Sequence, residues 1–221
     1  MLFLTVYGPE LESLFYYIHK YTQQEGSISR EQLYSAYLPQ TTLTHKGQTK
    51  NIEDAVHYLK ATRLIGGDKV YFSLQPNVDI TMPFAGLLLR QFRQLEQIST
   101  QLPLIDLLYI TLLEQLYITP NRVWISDLHA AANQLGLAQQ IGGISQEKIG
   151  AWKRVMEFLG FGYRMDSGFY CLFSPELLQA IVERWPLAEG TLQEFFERYL
   201  QSWVPCLTGR DTVQIEPCLI Y

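Results

Sequence analysis

The chain is expected to be a mainly helical α+β protein: two similar units, each with a small β-hairpin, joined by a connecting helix and followed by C-terminal helices. Three observations predict this class. Apolar residues recur at helical spacing through most of the sequence. Short β-branched and aromatic runs around glycine turns mark hairpins at 63–74 and 161–173. The same order of segments is also written twice. It runs LESLFYYIHKY, SISREQLYSAYL, NIEDAVHYLKATRLI and GGDKVYFSL, and then LIDLLYITLLEQL, WISDLHAAANQLG, SQEKIGAWKRVMEFLGF and GYRMDSGFYCLF.

In the first copy, Leu2 to Tyr7 reads as a short strand or an apolar arm before a Gly8-Pro9 break. A helix follows over 10–24, with Leu11, Leu14, Phe15 and Ile18 on one face. Ser29 caps a second helix over 30–38, and Gln32 three residues later completes a capping box. Pro39 stops it, and the polar stretch PQTTLTHKGQTK reads as a loop. Asn51 is the expected cap of the third helix, which runs to Leu64 with Ile52, Ala55, Val56 and Leu59 inward. Gly66-Gly67-Asp68 turns the first hairpin.

The connecting helix is placed at 82–99, with Pro83 in its first turn and Leu87, Leu88, Gln91, Leu95 and Ile98 as its apolar stripe. The second copy has a helix at 104–117, a Pro120-Asn121 turn and a helix from Asp127 to Leu135. A glycine-punctuated loop follows, and Ser145 caps a third helix at 146–159. Helices at 174–185 and 190–203 and an extended tail, DTVQIEPCLIY, complete the chain. This tail packs either on its own chain or on the edge of a partner's sheet. The domains are thus 1–80, a connection at 81–103, 104–173, and a C-terminal part at 174–221.

A formal net charge of −5 and a pI near 5.4 argue against general affinity for polyanions, so any nucleic-acid contact must be local. With 48% hydrophobic and only 18% charged residues, the chain should fold and still have apolar surface for a partner. Cys171, Cys206 and Cys218 are widely spaced and lack a C-x-x-C or Cys/His cluster, so neither a zinc site nor a disulfide framework follows. The N-terminal residues lack the basic start and long apolar run of a signal peptide, and no apolar run reaches the ~18 residues of a membrane span. A cytoplasmic location is the expectation.

No catalytic signature is legible. His19, His45, His57 and His129 are scattered without metal-ligand spacing, and the G-x-G-x-x-G, G-x-x-x-x-G-K and G-x-S-x-G patterns are missing. No enzyme, cofactor or metal is implied.

The order of helices, caps, glycine turns and hairpin in 10–75 and 104–173 resembles the winged-helix superfamily, a helix-turn-helix with an appended β-wing. Two such units in one chain also resemble the tandem winged-helix proteins that sit on kleisin subunits of chromosome-organising complexes. The resemblance implies that the third helix of each unit is the candidate reader of a DNA major groove. In the first copy that helix presents Glu53, Asp54, His57 and Lys60, a poor surface for phosphates, with His45, Lys46 and Lys50 as secondary phosphate contacts. The second copy is better suited. Gln146, Gly150, Lys153, Arg154 and Glu157 fall on one helical face, with Lys148 beside it and Arg164 in the wing. Over 145–165 the local balance is +2, from Lys148, Lys153, Arg154 and Arg164 against Glu147 and Glu157. Such lysines and arginines neutralise phosphates, and Arg or Gln reads base edges.

Two functions are therefore expected. One is a non-catalytic component of a multi-protein DNA-handling complex that contacts double-stranded DNA through the second copy. The other is a protein–protein adaptor without direct DNA contact, binding a partner or itself through apolar helix faces and the C-terminal tail. No membrane contact is expected of either.

Overall fold

The computed structural model describes residues 1, 5–37, 46–117, 124–187, 189–200 and 203, leaving aside the side chains of 46–48, 99, 113, 114, 116 and 117. Helix α1 spans Gly8–Glu25. The Gly8-Pro9 pair, expected to break the chain, instead forms its first turn, where proline's missing N–H has no intrahelical acceptor to lose. Gly26, at a φ of 80°, closes the helix and returns its amide to the Thr22 carbonyl. Strand β1 (Ile28–Ser29) leads into α2 (Arg30–Tyr37). The capping box forms as expected: the Ser29 amide donates to Gln32 Oε1 at 2.9 Å, and the Gln32 amide donates to Ser29 Oγ at 3.1 Å.

Helix α3 (Lys46–Ala61) starts more than a turn before Asn51, which is interior and not a cap. Residues 46–50 contain no proline to bar an added turn ahead of Asn51. Strands β2 (Ile65–Gly66) and β3 (Tyr71–Leu74) follow, after Arg63 reverses the helix end at a φ of 56°. Of the opening segment, residues 5–7 join no strand. Val6 is buried in the core, and residues 2–4 of this segment lie outside the described residues.

Helix α4 (Phe84–Gln97) is followed by a 3-10 turn at Ser99–Gln101. Leu87, Leu88 and Leu89 are consecutive and all buried. At about 100° per residue no single face holds three in a row, so α4 has neighbours on two sides.

The second unit begins with α5 (Leu104–Tyr117), at the expected bounds. It continues with β4 (Trp124–Ile125) and α6 (Leu128–Asn133), whose Asp127 cap accepts from the Ala130 amide at 2.9 Å. A short helix α7 (Gly136–Gln140) occupies part of the expected glycine loop. Helix α8 (Gln146–Phe158) carries the expected Ser145 cap, and β5 (Tyr163–Met165) and β6 (Gly168–Tyr170) form the hairpin. Helix α9 (Pro175–Val182) then leads to α10, helical at Leu192–Glu194 and widened to π-type turns over Phe195–Leu200. The Pro120-Asn121 turn and the C-terminal tail lie outside the described residues.

The chain is thus mainly helical, with two small antiparallel three-stranded sheets among the described residues. Both sheets have one order, β1-β3-β2 and β4-β6-β5, so the last strand of each unit is central. Each also pairs its core residues in register, Ile28 opposite Phe72 and Ile125 opposite Phe169. The units pack reciprocally, the first helix of each meeting the helix that precedes the hairpin of the other. Gly8 of α1 lies against the Phe158 ring of α8, where a Cβ would stand 2.1 Å from a ring atom. Tyr58 of α3 meets Tyr109 of α5. Phe84 and Phe92 of α4 fill the joint, at 6.4 Å from Phe158 and 5.9 Å from Tyr109.

Candidate functional site

The helix that precedes the second hairpin, α8, is tied at its start by side-chain hydrogen bonds. Asn133 of α6 accepts the Ile144 amide at 2.7 Å and donates to the Ile144 carbonyl at 3.1 Å, which His129 also meets at 2.9 Å. These bonds fix the residue before the Ser145 cap, and with it the direction of α8. From this start the exposed Gln146 and half-buried Lys148 face outward, and nothing lies within 4 Å of a Cβ placed on Gly150.

The rest of the expected basic face is turned to internal work. Lys153 is 8% exposed, and its ammonium donates to the carbonyls of Asp166, Ser167 and Gly168 at 3.0, 3.3 and 3.4 Å. It therefore clamps the β5–β6 turn instead of facing a groove, a correction to its outward placement. Helical periodicity puts it on the side of Gln146, but the hairpin folds back over that side. Burial lowers the ammonium's pKa, the Arg164 charge adds to this, and the carboxylates of Asp127, Asp166 and Glu157 oppose it.

Arg154 lies over the Tyr7 ring at 4.8 Å, a cation–π contact to the other unit. Arg164 gives its backbone amide to one Glu157 oxygen at 3.0 Å and its Nε to the other. The local excess of positive charge is thus largely spent within the fold. Lys148, half-buried beside the exposed Gln146, stands apart from these contacts, and Arg164 stays exposed while paired with Glu157.

The first unit repeats this economy. Lys60 donates to the Gly67 carbonyl at 3.2 Å and to that of Asp68, with its ammonium 4.7 Å from the Phe72 ring centre. Glu53 pairs with Arg30 at 2.6 Å, and Asp54 accepts from the Thr5 hydroxyl. Among the secondary contacts, Lys50 is exposed on α3 and Lys46 starts that helix, so neither belongs to the expected loop. His45 lies outside the described residues. Among the described residues, no group of three or more His, Cys, Asp or Glu is placed to hold a metal ion, and no helix is long and apolar enough to cross a membrane.

Sequence reasoning missed a row of aromatic rings. Trp124 pairs with Tyr170, and Tyr170 with Tyr163, so the three stand side by side across β4, β6 and β5. Their neighbours Ile125 and Phe169 point to the core. Trp124 is 38% exposed, Tyr163 43% and Met165 52%. The Trp124 and Tyr170 rings lie 4.6 Å apart, and a Cβ on Gly168 would come within 2.2 Å of the indole. That glycine lets the indole lie over the sheet. Alternation in WI and YRM was the available signal, but only register shows that the rings share a row. Tyr163 also borders a cavity of about 510 Å³ lined by Gly86, Phe158, Leu177, Ile181 and Trp203, with Glu157 and Glu176 among its few polar residues.

Comparison of the chain with family models, with curated proteins and with solved structures finds no match.

Proposed function

We propose that this chain is a tandem winged-helix adaptor: a non-catalytic protein that binds other proteins and does not read duplex DNA through its third helices. The recurrence of one helix and strand order, with one sheet order, supports the winged-helix reading. The observation that carries the adaptor reading is Lys153. The residue best placed by sequence to neutralise a phosphate is buried on three wing carbonyls, and withdrawing it would leave those acceptors without their donor. The engagement of Arg154 by Tyr7 and of Arg164 by Glu157 points the same way.

A second reading, a DNA-contacting component of a larger machine, is favoured by the outward Gln146 and Lys148 in the first turn of α8. A salt-titrated duplex-binding assay separates the two. The adaptor reading expects weak, sequence-independent binding that vanishes by physiological salt. A complex tighter than about 1 μM at that salt, weakened by Lys148→Glu with a shallower salt slope, would establish the DNA reading instead.

A further inference from the structure

We infer that the outer face of the β4-β6-β5 sheet, with the cavity beside it, is the docking site for a basic amphipathic helix of a protein partner. The inference rests on the adaptor reading and locates its contact surface. Trp124, Tyr170 and Tyr163 form one row across three strands, and Tyr163 is shared with the cavity, so ring row and cavity are adjoining parts of one apolar strip. Aromatic side chains on a rigid sheet supply large contact area with little rotamer freedom to lose, which is the character of an interface anchor. Gly168 keeps the indole seated on the sheet.

The dimensions suit a helix. Two strand spacings separate Trp124 from Tyr163, about 10 Å, which is the rise between residues seven apart on a helix. A neighbouring large apolar side chain of the same helix would enter the cavity, whose volume of about 510 Å³ has room for it. A partner strand is disfavoured at the β5 edge, because Glu157 already takes the Arg164 amide there.

Charge sets the sign of the partner. Asp127 follows β4 and Asp166 sits in the β5–β6 turn. Both are exposed, and the Ser167 hydroxyl ties their segments together by donating to the Ser126 carbonyl at 2.8 Å. Glu176 is exposed beside the cavity. Glu157 is balanced by Arg164, and the buried Lys153 ammonium beneath the turn offsets one carboxylate. Among the described residues, the remaining surface charge beside the strip is negative, so lysines or arginines flanking the partner's apolar stripe complement it.

The test uses the purified full chain and a fluorophore-labelled synthetic amphipathic helix of leucine and lysine, about five turns long. A scrambled peptide of the same composition and a leucine–glutamate helix serve as controls. Binding by the leucine–lysine helix alone is expected, with affinity reduced about tenfold or more by Trp124→Ala and by Tyr163→Ala, the loss of an anchor ring. Glu176→Lys should weaken it several-fold, more so at low salt. Both rings are half exposed, so these variants should keep the wild-type circular dichroism; if one does not fold, the other and Glu176→Lys decide. Equal binding of the scrambled or acidic peptide, or affinity unchanged by removing either ring, overturns the site. So does sedimentation showing a dimer that Trp124→Ala dissociates, because a second copy would then cover the strip. A chain that binds neither peptide nor duplex loses this docking site but not the adaptor reading. Duplex binding that depends on Lys148 overturns the adaptor reading itself.

Discussion

The hydroxyls of Tyr58 and Tyr109 meet at 2.7 Å inside the joint between the two units, with both rings essentially removed from solvent. One residue comes from the third helix of the first unit and the other from the first helix of the second, so this hydrogen bond measures how firmly the units are joined. Tyr58→Phe should cost about 1–3 kcal/mol, because the Tyr109 hydroxyl is left buried without this partner. The double variant with Tyr109→Phe should cost less than the sum of the singles. Urea unfolding of the four proteins closes the cycle, and strict additivity would mean that the hydroxyls are not coupled.

Alkaline pH should loosen the same joint. Burial raises the pKa of both phenols, so the folded chain keeps protons that the unfolded chain releases. The unfolded state then binds fewer protons, and stability falls as pH rises above about 10, the ordinary tyrosine value. Unfolding midpoints should drop across that range. The double variant lacking both hydroxyls should show a shallower drop; an identical slope would place the effect at other tyrosines.

Lys153→Met keeps most of the stem but removes the ammonium from three carbonyls. It should destabilise the chain by about 1–3 kcal/mol and speed amide exchange around residues 166–168. A lysine serving solvent or phosphate would show neither change, so thermal unfolding and hydrogen exchange together decide its role.

Gly8→Ala should cost about 1–3 kcal/mol, since its methyl would overlap the Phe158 ring of the other unit. In a Phe158→Ala background the same change should be far milder. An equal cost in both backgrounds, measured by denaturation, would move the effect to the start of α1 itself.

Much of the fold was legible because its signals are local. Ser29 with Gln32, Asp127 and Ser145 mark helix starts through bonds to backbone amides a few residues away, and α5 fell at its expected bounds because Pro103 and a continuous apolar pattern define it. Asn51 misled because a good cap residue is also tolerated inside a helix, and α7 was missed because Gly136 can begin a helix as well as punctuate a loop. The candidate site was less legible. Periodicity grouped Gln146, Gly150, Lys153, Arg154 and Glu157 on one side of α8, but it carried no information about what the hairpin and the N-terminal arm would lay over that side.

By itself, the sequence determined the mainly helical class, the repeated order of elements and the positions of most caps, because propensity, periodicity and capping act over a few neighbouring residues. Only the tertiary structure decided which charges remain available. Lys153, Arg154 and Arg164 are distinct cations in the sequence, and each finds its partner through a chain reversal or a contact between units. The row of Trp124, Tyr170 and Tyr163 likewise exists only once strand register is set, since shifting a strand by one residue would turn its ring to the opposite face.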